Sequence, residues 1–371
     1  MKVTDIKVYP QEIPLVEPFK IAFAEVNEAH TIIVEVLTDE GISGIGEAAP
    51  TSKITGETFS QAIENLKYIR EWLIGKDPLY VGKIEDELNS MLLGNSSIKA
   101  AISMALYDIL GKVSNKPVYK LLGAYRDHFE TDITIGIKSV EDTVKNALKH
   151  VEAGFKVLKI KVGINEEEDI ERIKKLRDAI GYDVRIRLDA NQAWSANQAV
   201  SIMRKIERYE IELLEQPTPY WDINGLRYIK ERIEVPVIAD ESVHTARDAI
   251  RLIKESAVDG VNIKLMKCGG IGEAIKIARV VEAEGLKCMI GCMEETRIAL
   301  TAAAHVVGAS KNIVYIDLDG NLNMVDEPAS GGMELKNGII HLPSKSGLGV
   351  ELDREKLVKY KFSGDYKKIQ L

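Results

Sequence analysis

The chain has 371 residues, 45% of them hydrophobic, and carries 57 acidic against 49 basic side chains for a formal net charge of −8. That length supports a core divided between two domains, or one large barrel with additions; the charges are spread, with no basic stripe for nucleic acid and no acidic block for a disordered tail. No segment approaches the roughly 18 apolar residues of a membrane span, and charges and prolines stand in MKVTDIKVYPQEIPLVEPFK where a secretion signal needs an apolar run, so a cytoplasmic protein acting on a small solute is expected.

Residues 2–9 and 31–38 read as strands, and 59–75 and 97–113 carry helical periodicity, which makes residues 1–125 an α+β unit. From 126 to 330 the pattern becomes strand then helix, with strands TDITIGI, VLKIKVG, VRIRLDAN, IELLEQP, PVIADES, VNIKLM, KCMIG and VYIDLD. Such a series predicts a parallel β/α barrel. In EEEDIERIKKLRDAI, Ile170, Ile173, Leu176 and Ile180 recur at helical spacing, so one stripe covers the barrel while Lys and Glu face water. Residues 331–371, with Gly331, Gly332 and GIIHLP, do not continue the repeat and are expected to rejoin the N-terminal unit.

Barrel strands are covered outside by helices and packed inside in layers, so charges are tolerated mainly at the C-terminal mouth, where catalysis occurs. Lys159 and Lys161 stand two apart in VLKIKVG and share a face, as do Asp189 with Asn191 and Asp317 with Asp319. Glu215 ends the fourth strand, Asp240 the fifth, and Lys264 the sixth. Any one of the carboxylates could be a strand-end cap. Three on consecutive strands, flanked by lysines, form a hard anionic site suited to Mg²⁺, and no His or Cys of zinc spacing competes.

Lys161 and Lys264 fall on opposite sides of an eight-stranded ring, so a substrate between them meets one amine on each face. That permits removal of a proton from one face and its return to the other. A proton beside a carboxylate is too weakly acidic for an ordinary amine, so a cation must stabilise the charge that forms and the lysine pKa must fall toward neutrality, lowered by neighbouring Lys159 and the cation; the quieter reading of either lysine is a salt-bridge partner for the acids.

Taken together these residues resemble the enolase superfamily in its muconate-lactonising subgroup, with K-x-K at Lys159 and Lys161, acids in LDAN, EQP and ADES, and a lysine in NIKLMKCGG. The resemblance implies a modified (β/α)7β barrel with an N-terminal α+β capping domain, here 1–125, 126–330 and a returning segment 331–371. It also implies Mg²⁺ on Asp189, Glu215 and Asp240, acid-base catalysis by Lys161 and Lys264 through an enediolate, and a homo-oligomer. Asp317 and Asp319 resemble the D-x-D of dipeptide epimerases, where an acidic pair grips the substrate ammonium; muconate and succinylbenzoate present no such cation. By the same resemblance Lys159, Thr134, Glu294 and Ala24 face the substrate and Asn191 and Glu241 support the metal ligands. Residues 18–29 and 51–58 correspond to two mobile capping loops. A cycloisomerase or o-succinylbenzoate synthase, and a carboxylate-binding barrel without catalysis, are the competing readings.

Specificity turns on two positions. Relatives acting on Ala-Glu present a cation from the first capping loop, where this chain has Ala24 followed by Glu25 and Glu28, and Glu294 stands where an apolar residue is common. A cationic or apolar dipeptide is therefore expected ahead of Ala-Glu, unless Lys20, Lys53 or Arg297 reaches the pocket. Four other features have quieter readings: packing for Cys268, Cys288 and Cys292; hydrogen bonding for His244 and His305; mouth-lining or helix-covering for Trp194 and Trp221; and family motif rather than phosphate cradle for Gly269, Gly270 and Gly272.

Overall fold

The computed structural model describes residues 1–362; residues 363–371 of the expected returning segment lie outside the described residues. An antiparallel sheet of β1 (Val3–Ile21), β2 (Ala24–Thr38) and β3 (Ser43–Ala48) opens the chain, followed by α1 (Phe59–Leu73), α2 (Val81–Met91), α3 (Ser96–Val113) and α4 (Val118–Leu121). Thr58 and Gln61 close a capping box at the start of α1. Ile32, Val34 and Val36 pack against Phe59, Leu66, Ile69 and Leu73 as this unit's own core. Helix α3 is apolar on nearly every side because it lies between that sheet and the barrel. It rides directly on β3, where a Cβ at Gly46 would stand 1.9 Å from the Ala101 carbonyl oxygen.

After β4 (His128–Glu130), eight parallel strands follow in unbroken neighbour order: β5 (Ile133–Ile135), β6 (Val157–Lys161), β7 (Arg185–Asp189), β8 (Ile211–Glu215), β9 (Val237–Ala239), β10 (Gly260–Ile263), β11 (Lys287–Ile290) and β12 (Ile313–Ile316). Asp132 N donates to Ile316 O at 3.0 Å, joining the two ends of the curled sheet. All eight predicted strands are present. Their outer faces are covered by α5 (Val140–Glu152), α6 (Glu166–Ile180), α7 (Ala196–Ile206), α8 (Ile223–Lys230), α9 (Ala246–Lys254), α10 (Leu265–Cys268), α11 (Ile271–Ala283) and α12 (Arg297–Ala309). Side-chain caps fix most of these starts: Ser139, Asn165, Ser195, Asp222, Thr245 and Thr296 each accept a backbone N–H from the first turn.

Two features depart from expectation, and a third follows it. Residues 18–29 are not a loop but the end of the β1–β2 ladder, with Phe19 opposite Val26 and Ile21 opposite Ala24 beyond an irregularity between Pro14 and Phe19. The segment FKIAFAEV alternates and contains no glycine, so it pairs up to its tip; residues 51–58, by contrast, form neither helix nor strand. Charge also penetrates below the mouth. Arg187 lies inside the barrel, with Asp132 at 2.8 Å and Glu212 at 2.6 Å, and donates to Ile316 O at 3.0 Å, the counter-charges that burial of a guanidinium requires. Finally, the GGIG run serves packing. A Cβ at Gly270 would meet the Ser103 side chain at 2.3 Å, and Ile271 N donates to Ser103 Oγ at 3.0 Å, so α3 occupies the space a phosphate would need.

The described part of the returning segment touches both parts. β13 (Ala329–Gly331) pairs with β16 (Val350–Leu352), while β14 (Glu334–Lys336) and β15 (Ile339–His341) add to β4. Beyond α13 (Arg354–Lys359), Glu12 N donates to Tyr360 O and Phe362 enters the capping core beside Phe59. Glu47 ties cap to barrel more firmly: its buried carboxylate accepts from Thr296 N at 2.9 Å and Ala299 N at 3.1 Å, at the positive end of the α12 dipole.

Candidate active site

Register brings the acids together. Lys161 on β6 stands opposite Asp189 on β7, which stands opposite Glu215 on β8; Asp240 follows β9, one strand further round. The oxygens of Asp189, Glu215 and Asp240 lie within 4.8 Å of one another and all three side chains are fully buried. Lysines surround them. Lys161 Nζ is 2.6 Å from Asp189 Oδ2, Lys159 Nζ 2.8 Å from Glu215 Oε2, and Lys264 Nζ 2.9 Å from Asp240 Oδ2. Glu215 Oε2 and both Asp240 carboxyl oxygens accept no well-aligned hydrogen bond. Three buried all-oxygen donors with uncommitted lone pairs fit a hard divalent cation such as Mg²⁺.

The electrostatics are those of a crowded, dry site. Burial and the neighbouring Asp189 push Glu215 up to about 7. Burial acts the same way on Asp240, but Lys264 and Lys267 overcome it and hold that carboxyl far below its ordinary range. Reciprocally, burial would lower Lys264, and Asp240 instead holds its ammonium above the usual lysine value. The neutral amine that chemistry demands is thus not intrinsic to the protein part of the site; it requires a competing positive charge at Asp240. Glu241 lies beside the trio, accepts from Asn191 Nδ2 at 3.3 Å, and is pushed up to about 8 by burial and Asp240.

Asp317 and Asp319 follow β12 and meet β5. Asp317 accepts from Lys159 Nζ at 2.6 Å and Thr134 Oγ1 at 3.1 Å, while Asp319 accepts from Thr134 N at 2.5 Å. The two acids differ in charge state. Although burial opposes it, Lys159 holds Asp317 well below the carboxylate range, whereas burial and the Asp317 charge raise Asp319 to about 7.

A cavity of about 310 Å³ opens over these groups, lined by Lys159, Lys161, Lys264, Asn191, Thr134, Asp317, Asp319, Glu294 and Ala24. Asp189, Glu215, Asp240 and Glu241 lie beneath it. The wall toward the capping unit has an apolar part, from Phe19, Ile21, Phe23, Val26 and Ile54, with Met293 on the barrel side, and a polar part from Glu17, Glu28, His30 and Lys53. Of the three cations considered for this pocket, Lys53 lines it but donates to Phe23 O at 2.9 Å, Arg297 is held by Glu327 at 2.9 Å, and Lys20 is exposed on the other face of the hairpin. Glu294 Oε2 is buried and accepts no hydrogen bond; burial and Asp319 push it up to about 8.

His244 and His305 are structural: His244 Nε2 lies 3.1 Å from Ile54 O, and His305, driven down to about 4 by burial, bridges Tyr119 N and Leu348 O. Trp194 is buried and Trp221 exposed, and no disulfide joins the cysteines. Sequence reasoning passed over Lys267, whose fully buried ammonium pairs with Asp240 Oδ1, and Asn262, whose Nδ2 donates to Glu215 Oε1 at 2.6 Å. The signal was present in VNIKLMKCGG, where a polar residue two before Lys264 shares its strand face and a second lysine follows one helical turn later.

A parallel β/α barrel under an α+β cap, with a buried carboxylate trio at its mouth, defines a class of enzyme that works on a carboxylate held by a divalent cation. The Enolase C-terminal domain-like family matches residues 142–356, and the Mandelate racemase / muconate lactonizing enzyme N-terminal domain matches residues 3–123. The chain is 42% identical to the hydrophobic dipeptide epimerase of Enterococcus faecalis, over 94% of this chain and 99% of that protein, and 41% identical to the L-Ala-D/L-Glu epimerase of Clostridium acetobutylicum, over 95% and 99%. A crystal structure of the Enterococcus faecalis dipeptide epimerase with Mg and L-Leu-L-Tyr superposes with a TM-score of 0.93, covering 95% of this chain and all of that one. The chain belongs to the mandelate racemase and muconate-lactonizing group of the enolase superfamily, and it is an isomerase of that family.

Proposed function

We propose that this protein is a magnesium-dependent dipeptide epimerase that inverts the carbon bearing the C-terminal carboxylate. One observation carries the reading: Lys161 on β6 and Lys264 at the end of β10, four strands apart in a ring of eight, open into one cavity on either side of the buried trio. In this reading Asp189, Glu215 and Asp240 hold the cation, supported by Asn191 and Glu241. A cation there supplies positive charge for the substrate carboxylate and for the charge that forms on proton removal, and relieves Asp240 of its hold on Lys264. One lysine amine takes the α-proton from its face, and the ammonium opposite delivers a proton to the other face. Lys159 stays protonated between Asp317 and Glu215 and orients the substrate carboxylate. The apolar wall excludes water while the carbanion is protonated. A cytoplasmic, homo-oligomeric enzyme with a cap at 1–125 and a barrel at 126–330 accompanies this reading; among the described residues no helix is long and apolar enough to cross a membrane. Incubation of a dipeptide panel in D₂O, followed by NMR, tests the reaction: deuterium at the C-terminal α-carbon with loss of stereopurity is expected. Elimination or cyclised products would favour a cycloisomerase instead.

The acidic pair is assigned to the substrate ammonium. A carboxyl near 7 beside an ionised neighbour gains most from an arriving cation, which draws off its proton. Asp319→Asn keeps an acceptor for Thr134 N but loses the charge, so it is expected to weaken free-amine dipeptides by about 1–3 kcal/mol while N-acetylated analogues change little. Competition binding with matched pairs of ligands measures this; equal losses for both would make the pair structural.

For side-chain preference, the two relatives above differ, one hydrophobic and one Ala-Glu, at nearly equal identity. The pocket itself favours an apolar side chain: Lys53 and Arg297 are engaged elsewhere, and burial and Asp319 push Glu294 toward its neutral form. A lysine or arginine side chain is accommodated when Glu294 ionises; a glutamate side chain meets no free cation from Lys20, Lys53 or Arg297, while Lys138, held by Glu17, and Lys149 line the outer part of the same cavity. A kinetic panel of L,L-dipeptides with Glu, Leu, Lys and Arg at either position is expected to give the lowest kcat/KM for Ala-Glu, with Glu294→Ala selectively reducing use of the cationic members. A wild-type maximum at Ala-Glu overturns the assignment.

A further inference from the structure

Asn262 lies in β10, two residues before Lys264 and on the same strand face, and is fully buried. Its Nδ2 donates to Glu215 Oε1 at 2.6 Å, and its backbone oxygen accepts from Lys267 Nζ at 3.1 Å. The same Lys267 ammonium pairs with Asp240 Oδ1 and donates to Asp240 O. Two of the three trio carboxylates are therefore tied to one strand segment, Glu215 by a neutral amide and Asp240 by a lysine that does not reach the cavity.

A second observation comes from the next strand. A Cβ added at Gly291 would stand 2.8 Å from Asn262 Nδ2, 3.0 Å from Asn262 Oδ1 and 3.0 Å from Lys264 Cε. The amide and the lysine stem thus share one niche at the end of β11, and only a residue without a side chain leaves both in place. Asn262 Oδ1 accepts no hydrogen bond although buried, so its orientation follows from the Glu215 bond and from steric confinement. A carboxylate that must present one oxygen to a cation needs its other oxygen fixed, since free rotation spreads the donor over many positions.

We propose that Asn262 is a positioning residue of the site: its amide fixes Glu215 for the cation, within a niche that Gly291 keeps open and that also sets the path of the Lys264 side chain. The proposal rests on the assignment of the trio to Mg²⁺ but not on the identity of the substrate. Calorimetric titration of Mg²⁺ into the full chain freed of metal, with no dipeptide present, separates the two. Asn262→Leu, close in size and without a donor, is expected to weaken Mg²⁺ binding by about 10- to 100-fold and to shrink the Mg²⁺-induced rise in Tm. Gly291→Ala, which alters no polar group, is expected to reproduce the weaker binding and also to lower kcat, because it crowds Lys264. Asn262→Gln, which keeps the donor on a longer stem, is expected to recover part of the affinity that Leu loses. Mg²⁺ affinity of Asn262→Leu within twofold of wild type overturns the proposal. Should that variant fail to fold, unchanged affinity in Gly291→Ala overturns it equally. Absence of epimerisation across every dipeptide, with the affinity losses intact, would refute the proposed reaction and leave this role standing.

Discussion

Lys161→Ala and Lys264→Ala are each expected to abolish epimerisation, a loss of at least about 10²- to 10⁴-fold for one acid-base group, with Mg²⁺ still bound. The two variants should not be equivalent. Each lysine addresses one face of the substrate, so each variant retains the amine that exchanges the α-proton of one stereoisomer. In D₂O, Lys161→Ala should label one epimer of a dipeptide without inverting it, and Lys264→Ala the other. The removed charges also change the trio: Lys161 leaves Asp189 with only the more distant Lys159 at 3.3 Å, and Lys264 leaves Asp240 with Lys267. Both carboxylates then gain lone pairs for the cation, so metal binding survives. Normal epimerisation by either variant would refute the two-base assignment.

Removing a trio carboxylate should cost both activity and metal dependence. Asp189→Ala, Glu215→Ala and Asp240→Ala each take away one oxygen donor and the charge that fixes the cation, and with it the stabilisation of the charged intermediate. The structural cost is unequal. Asp240 holds both Lys264 and Lys267, so its loss leaves two buried ammoniums without that counter-charge, Lys267 keeping only the Asp240 and Asn262 backbone oxygens, and should lower stability by about 3–5 kcal/mol, the range seen when one partner of a buried pair is removed. Glu215→Ala frees Lys159 only in part, because Asp317 retains it at 2.6 Å. Asp240→Asn preserves the packing and separates the two effects. Activity in excess EDTA, read beside thermal unfolding, provides the check: near-normal turnover without metal in any of these variants, or in wild type, would remove the cation from the mechanism.

Much of this was readable because a barrel converts one-dimensional periodicity into radial position. Period-two spacing placed Lys159 with Lys161 and Asp317 with Asp319, and strand ends placed Asp189, Glu215 and Asp240 at the mouth, where all are found. What escaped notice depends on contacts between segments far apart in sequence. Arg187 sits inside the barrel because Asp132 and Glu212 surround it, and neither pairing has a local signature. Lys267 stands one helical turn beyond Lys264, but its burial is not a local property: the segment after β10 folds back under Asp240, and that contact sets its depth. Asn262 was overlooked for a different reason: a neutral amide among lysines and acids carries no charge signal, and its importance comes from Glu215, 2.6 Å away. The lysine protonation expected from chemistry alone was also incomplete. It expects a lowered lysine, whereas Asp240 reverses the effect of burial on Lys264 and raises it.

The paired hairpin has a consequence for how specificity can change. Around its tip Phe19, Ile21, Phe23, Ala24, Val26 and Glu28 line the cavity, whereas Lys20 and Glu25, opposite each other in the ladder, do not. Glu25 therefore does not act on the substrate, despite its place beside Ala24. A ribbon of this kind behaves as an interchangeable strip, because a backbone ladder holds register whatever side chains it carries. Substitutions at 19, 21, 24 and 26 can rewrite the pocket wall without moving the lysines or the acids, which belong to a separate scaffold. Divergence in substrate range among descendants of one ancestor then needs only a handful of point changes on one side of a two-stranded ribbon, with no insertion, no shift of register and no alteration of the chemistry.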